Sequence, residues 1–335
     1  MRPAITPKGL VLILLLFCGG SPGASAQTPA FVSYSEKANQ LLENTQVDEY
    51  NTLIDPKGNL FTLSYDHEDI LELEGSTLKS IKANLRKKVY HLAMDSKGTL
   101  YCICDNKLYR REDGAWAQIG DDIPERFPTA LQVGLDDNVY LNTDHSILKF
   151  EDGGWTFLRF SDKKAVSHPG SYFKKAIDSK GTVYMYHSDL QNPENKKKLV
   201  LRWDGKAFKS IGDMPGNVTD MAMDKDGRLY VSGFLDKDAF RKVWDGVSWT
   251  DVPAPAEALA TATFMRTQHG QVFLHSTIRD TRTYVLYKLT DGKWQQWMLY
   301  PPGTMCCTLY PVSPGRLYYI GQKRLGIYNN VNNKR

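Results

Sequence analysis

The chain has little cysteine, five residues in 335, and one of these, Cys18, falls in an apolar stretch near the N-terminus. It has no apolar run after that stretch long enough to cross a bilayer, for which about 20 residues are needed. It lacks an excess of one charge: 42 Lys and Arg stand against 38 Asp and Glu. That balance argues against a dedicated nucleic-acid binder. No H-E-x-x-H, G-x-S-x-G or P-loop pattern occurs, and no Cys/His spacing matches a zinc signature. No cofactor and no metal is therefore expected, and an enzyme is the less favoured reading. The seven His residues are scattered singly.

The first 26 residues read as an export signal. Arg2 and Lys8 precede the apolar run GLVLILLLF, residues 9–17, and small residues lead to Ala24-Ser25-Ala26. This is the order of a signal peptide cleaved after Ala26, which places the mature chain outside the cytoplasm, secreted or periplasmic. The alternative is a lipoprotein anchored through Cys18, but Phe17 stands where a small residue is normal. Cleavage removes Arg2 and Lys8 and halves the formal charge of +4.

The rest is one pattern written seven times. Gly58-Asn59-Leu60-Phe61, Gly98-Thr99-Leu100-Tyr101, Asp137-Asn138-Val139-Tyr140 and Gly181-Thr182-Val183-Tyr184 open the series. Gly227-Arg228-Leu229-Tyr230, Gly270-Gln271-Val272-Phe273 and Gly315-Arg316-Leu317-Tyr318 complete it, at spacings of 40, 39, 44, 46, 43 and 45 residues. Four copies place an Asp three residues upstream: Asp55, Asp95, Asp178 and Asp224. An Asp carboxylate caps the backbone ahead of it and Gly accepts positive φ, so each copy predicts a tight turn followed by a strand. The aromatic residues after the turns are expected in the core.

A second mark falls later in most copies. It comprises Asp113-Gly114 with Trp116, Gly153-Gly154-Trp155, Asp204-Gly205 with Phe208, Asp245-Gly246 with Trp249, and Asp291-Gly292 with Trp294. Asp-Gly between apolar residues is a strong hairpin signal. Each unit then holds four short strands, in the second copy residues 90–95, 99–104, 107–112 and 116–119. Four strands per 40–45 residues is the signature of a propeller blade. Length alone would divide the chain into domains of about 100–200 residues. Seven units instead use up the chain after the signal.

The expected fold is thus all-β, a seven-bladed propeller of four-stranded antiparallel blades over residues 50–330. Residues 27–49 form an N-terminal segment and residues 331–335 a tail. The seventh copy supplies only three strands. The fourth is expected from residues 30–34, closing the ring and removing two sheet edges. Residues 35–47 are the one stretch with a helical reading.

Met221 to Gly233, MAMDKDGRLYVSG, with Leu201 to Gly212, LRWDGKAFKSIG, resembles the blade repeats of extracellular bacterial β-propellers. Kelch-like and two-component-sensor propellers carry related patterns. The resemblance spans nearly all of the chain after the signal. It implies architecture and leaves activity open, because a fold does not fix a function.

The once-per-blade Trp is read as packing, with a sugar platform as the competing role. Cys102 and Cys104 lie two apart on one strand, a geometry unfavourable for a mutual disulfide. For these two and Cys306 and Cys307 three readings stay open: free buried thiols, a vicinal Cys306–Cys307 disulfide, or a metal site.

A ligand site is expected on the face where loops between second and third strands meet the connections between blades. Tyr50, Tyr90, Tyr172 and Asp220, at the entries of first strands, and Arg279 and Arg282, in a loop, are the candidate contacts. Lys196, Lys197, Lys198, Arg126, Lys163, Lys164 and His168 make several of these loops basic, which favours an anionic ligand such as an acidic glycan. The functional expectation is an exported, monomeric binding or protein-interaction module whose partner is unknown. The alternatives are a lectin and a lyase or hydrolase acting at the channel mouth.

Overall fold

The computed structural model describes residues 39–74, 77–125, 128–143, 146–159, 175–188, 198–258, 263–265, 270–278, 284–300, 307–313, 316–321 and 324–329. These form a seven-bladed β-propeller with four antiparallel strands per blade, and no helix occurs among them. The first strand, Asn39–Ile54, serves two blades. Its later part pairs with Leu60–Ser64, which continues into Ile70–Glu74 and Thr77–Ser80, and these make blade 1.

Blade 2 is Val89–Met94, Leu100–Cys104, Lys107–Glu112 and Ala115–Gln118, and blade 3 is Ala130–Val133, Val139–Asn142, Ser146–Glu151 and Gly154–Arg159. Blade 4 is Lys175–Ile177, Val183–Ser188, Lys198–Trp203 and Phe208–Asp213. Blade 5 is Asn217–Met223, Leu229–Leu235, Asp238–Trp244 and Trp249–Asp251, and blade 6 is Thr263–Met265, Phe273–Thr277, Tyr284–Thr290 and Lys293–Tyr300. Blade 7 is Cys307–Ser313, Arg316–Gly321 and Arg324–Asn329, completed by residues 39–46.

The ring therefore closes with an N-terminal strand, as expected, but with a different one. Asn39, Gln40 and Leu41 pair with Tyr328, Ile327 and Gly326. Residues 30–34 lie outside the described residues. The helical reading of 35–47 is also corrected, since 39–47 is strand. An unpaired edge of blade 7 and an unpaired inner edge of blade 1 both need this segment, and tertiary pairing overrides a weak local preference.

The turns carry the fold as their chemistry predicts. Asp55 Oδ1 accepts the backbone N–H of Lys57 and of Asn59, both at 2.8 Å. Asp95, Asp178 and Asp224 repeat this pair of bonds at 2.8–3.0 Å. In the third copy Asp137 takes the glycine's place at φ +59°. Its carboxylate accepts Ser96 N at 2.8 Å and Ser96 Oγ at 2.7 Å, tying the turn of blade 3 to that of blade 2. The departure from Gly thus gains a link between blades.

Gly58 needs its missing side chain for a second reason. At φ +87° an added Cβ would stand 2.7 Å from Val312 Cγ1 of blade 7. At Gly227, φ +80°, an added Cβ meets nothing. Gly227→Ala should cost about 1–2 kcal/mol of backbone strain, and Gly58→Ala about 1–3 kcal/mol more for the clash. Denaturant unfolding of the two variants measures the difference, and equal losses would contradict the assigned seam between blades 7 and 1.

The seven aromatics after the turns, Phe61, Tyr101, Tyr140, Tyr184, Tyr230, Phe273 and Tyr318, are all buried. Tyr140 OH donates to Asp136 at 2.8 Å and to Gly181 O of blade 4 at 3.4 Å, and Tyr318 OH donates to Gly58 O at 3.4 Å across the closure. The Trp series repeats a second link. Trp116 Nε1 donates to Ile81 O at 2.8 Å, Trp155 to Asp121 O at 3.4 Å, Trp249 to Ile211 O at 2.9 Å and Trp294 to Pro253 O at 3.0 Å. Each indole reaches the end of the preceding blade. Around the hairpins, Phe150–Trp155, Trp203–Phe208 and Trp244–Trp249 form cross-strand ring pairs with centroids 5.0–5.5 Å apart.

Candidate functional site

The turn residues above share one face of the ring. The other face, where loops between second and third strands meet the inter-blade connections, carries the irregular backbone. In blade 2, Val89 pairs with Cys104 and His91 with Ile103, so Tyr90 is an extra residue opposite none. Blade 5 repeats the bulge at Thr219, between Val218 and Asp220. In blade 1 the register breaks between Val47 and Thr52. A bulge of this kind re-aims a side chain and is frequent beside sites. Here it turns Tyr90 outward, 47% exposed, between the buried Val89 and the half-buried His91.

Beneath Tyr90 lies a hydrogen-bonded polar cluster. His67 Nε2 is 3.1 Å from Asp48 Oδ2, and its Nδ1 is 3.1 Å from Val89 O. Both ring nitrogens lie against oxygen atoms of other elements, which fixes the orientation of the ring. Asn51 Nδ2 donates to Asp48 Oδ2 at 2.8 Å, and Asn51 Oδ1 accepts Leu92 N of blade 2 at 3.0 Å. His91 Nε2 is 3.0 Å from Pro128 O, at the edge of blade 3. Lys175, at the entry to blade 4 and buried, donates to Asn142 Oδ1 at 2.6 Å.

These groups feel one another. Burial holds His91 below the usual histidine range; Pro128 O opposes this, the charges of His67 and Lys175 add to it, and Asp48 opposes it. Further round, Glu125 accepts Ser146 Oγ at 2.9 Å and also Thr143 Oγ1, fixing the connection between blades 2 and 3. The mouth over blades 1 to 4 is therefore held by buried polar pairs that set the loops.

The candidate contacts read from the sequence fare unevenly. Tyr90 lies on the exposed surface of this face, and Tyr50 falls in the irregular stretch of Asn39–Ile54. Asp220 is half-buried beside the bulge of blade 5, where its Oδ1 accepts Met221 N at 2.8 Å. Tyr172, Arg279 and Arg282 lie outside the described residues, as do Arg126, Lys163, Lys164, His168, Lys196 and Lys197.

Cys102 and Cys104 are free thiols buried in the packing of blades 1 and 2, and burial pushes both thiols up. Cys307 opens the first strand of blade 7, and Cys306 and any bridge to it lie outside the described residues. Asp48, Asn51, His67, His91, Asn142 and Lys175 were not found by sequence reasoning. The one available signal was the neighbourhood of His91 to Tyr90 at a strand entry.

No family model and no curated protein matches the chain. Among solved structures it is similar to a virginiamycin B lyase from Staphylococcus aureus, with a TM-score of 0.55 and 13% identity over 87% of this chain and 98% of that one. It is similar to YCF48 from Cyanidioschyzon merolae, with a TM-score of 0.54 and 12% identity over 88% of this chain and 99% of that one. The extracellular domain of a putative hybrid two-component system from B. thetaiotaomicron matches with a TM-score of 0.52 and 12% identity, over 86% of this chain and 39% of that one. These neighbours are propellers with different roles, so they establish the architecture and leave the activity to the residues of this chain.

Proposed function

We propose that this chain is an exported propeller that binds a ligand or protein partner at the loop face, over blades 1 and 2. The observation that carries this is the bulge that turns Tyr90 into solvent above a built polar cluster. Among the described residues, three of the four exposed large apolar side chains, Tyr65, Tyr90 and Leu235, lie at this face, and Val247 alone at the other. Rigid strands that present an exposed aromatic are the usual support for recognition. Residues 1–26 supply the export signal in this reading. An extracellular domain among the structural neighbours is compatible with it, and no described helix is long and apolar enough to cross a membrane.

A lyase or hydrolase reading draws on Asp48, His67, His91 and Lys175, which gather at the same mouth. Binding is preferred because both His67 nitrogens, Asp48 and the Lys175 amine are engaged with protein groups. Photo-crosslinking in the source cell tests the proposal, with a photoreactive residue at position 90 or at 247. Adducts at 90 and not at 247 are expected. Adducts equally at both, or at neither, would remove the loop face as the binding face.

A further inference from the structure

We infer that the Tyr90 patch takes a neutral saccharide, with one sugar ring lying on the tyrosine. The inference rests on the loop face being the binding face. The patch is built from the loop of blade 1 that holds Tyr65 to Asp69, the connection holding Lys82 to Lys88, and the tip of blade 2 at Asp105. Four cations, Lys82, Arg86, Lys87 and Lys88, share it with four carboxylates, Asp66, Glu68, Asp69 and Asp105.

The charges are interleaved. Lys87 Nζ is 2.7 Å from Asp105 Oδ2, and Lys88 Nζ is 3.1 Å from Glu68 Oε1. Lys82 Nζ donates to Glu68 O at 2.6 Å, with a Glu68 carboxylate oxygen at 4.0 Å. A polyanion draws its affinity from uncompensated cations, and this patch offers a balanced set. A protein interface is depleted in Lys, Glu and Asp at its core, and here Lys87 and Lys88 immediately precede Val89 and Tyr90 while Asp66 and Glu68 flank His67, whose ring centroid lies 6.3 Å from that of Tyr90.

A polyhydroxylated neutral ligand fits both facts. Its C–H face covers the exposed ring, removing apolar area from water. Its hydroxyls donate to the exposed carboxylates of Asp66, Glu68 and Asp105 and accept from the amines of Lys87 and Lys88. Such charge-assisted hydrogen bonds are strong without requiring charge on the ligand.

The loop is set before any ligand arrives. His67 is a non-glycine residue at φ +62°, held there by Asp48 and Val89 O, and Val89 N returns a bond to His67 O at 3.0 Å. Lys88 Nζ donates to Asp66 O at 3.2 Å and closes the loop against the connection. A pre-organised site loses less affinity to ordering, which a weakly bound polyol requires.

The test is calorimetric titration of the full chain with neutral hexaoses of the β-1,4-gluco, β-1,4-xylo, β-1,4-manno and α-1,4-gluco series. Oligogalacturonate and heparin form the charged arm. Saturable binding of at least one neutral hexaose is expected, weakened at least tenfold by Tyr90→Ala, retained by Tyr90→Phe and unchanged by Val247→Ala. Thermal unfolding confirms that the variants are folded, as the exposure of both side chains leads one to expect.

No binding in the neutral arm, binding confined to the charged arm, or neutral binding indifferent to Tyr90→Ala each overturns the inference. Crosslinking at position 90 separates the two levels. A protein adduct there with no saccharide binding removes the ligand class and leaves the binding face standing. Neither result at that position removes both.

Discussion

Replacing Trp116 with Ala should cost about 3–5 kcal/mol of stability, the range for deleting a buried Trp side chain. Trp116 is 2% exposed and packs with Leu92, Met94, Cys102 and Cys104 in the core between blades 1 and 2. Three hydrogen bonds join it to the end of blade 1. Its indole donates to Ile81 O at 2.8 Å, its backbone N–H donates to Asn84 Oδ1 at 3.1 Å, and its carbonyl accepts Asn84 Nδ2 at 2.8 Å.

Trp116→Phe separates packing from the indole bond. It keeps most of the ring and leaves the Ile81 carbonyl without that donor, for about 1–3 kcal/mol. Denaturant unfolding of both variants measures the two contributions. Equal losses for Ala and Phe would show that the indole bond carries the position and the packing almost nothing.

Stability should fall as the solution is acidified from neutrality, well before the carboxylates are protonated. Burial against Tyr284, ring centroids 6.1 Å apart, pushes His275 down to about 4. Its folded value lies below the unfolded one of about 6.5, so the unfolded chain takes up the proton first. The contribution is fully present above about pH 6.5, is lost between about 6.5 and 4, and amounts to about 3 kcal/mol. His91 is displaced in the same direction by its own burial and adds to the fall.

The carboxylates of Asp66, Asp204 and Asp245 are held low by hydrogen bonds, so their loss comes at more acid pH. Unfolding free energies between pH 7 and 4.5, for the native chain and His275→Leu, read the histidine contribution alone. The variant should show a shallower slope over that range, and parallel curves would overturn the assignment.

The repeat was legible because its meaning is local. An Asp five residues before the start of a strand, with Gly between them, makes its turn from its own hydrogen bonds, as at Asp55, Asp95, Asp178 and Asp224. The positive φ of Asp113 and Gly114, and of Asp152 and Gly153, follows from Asp-Gly and Asp-Gly-Gly in the same way. Tyr90 was legible as a strand entry on the loop face.

The closing strand was not placed correctly. Residues 39–47 have no strong strand pattern, and they become strand because two blades leave edges that only they can fill. The polar cluster was hidden for a related reason. Asp48 lies 19 residues from His67 and 43 from His91. Only the meeting of blades 1 and 2 brings them together.

By itself the sequence determined the number of blades, the turns that shape them and the burial of the seven aromatics. These follow from spacing and from turn chemistry within a few residues. The tertiary structure decided which segment closes the ring, which carbonyl each indole reaches, and that a single extra residue in blade 2 exposes Tyr90. Those depend on pairing between strands far apart in the chain, whose stabilisation exists only once the whole ring has formed.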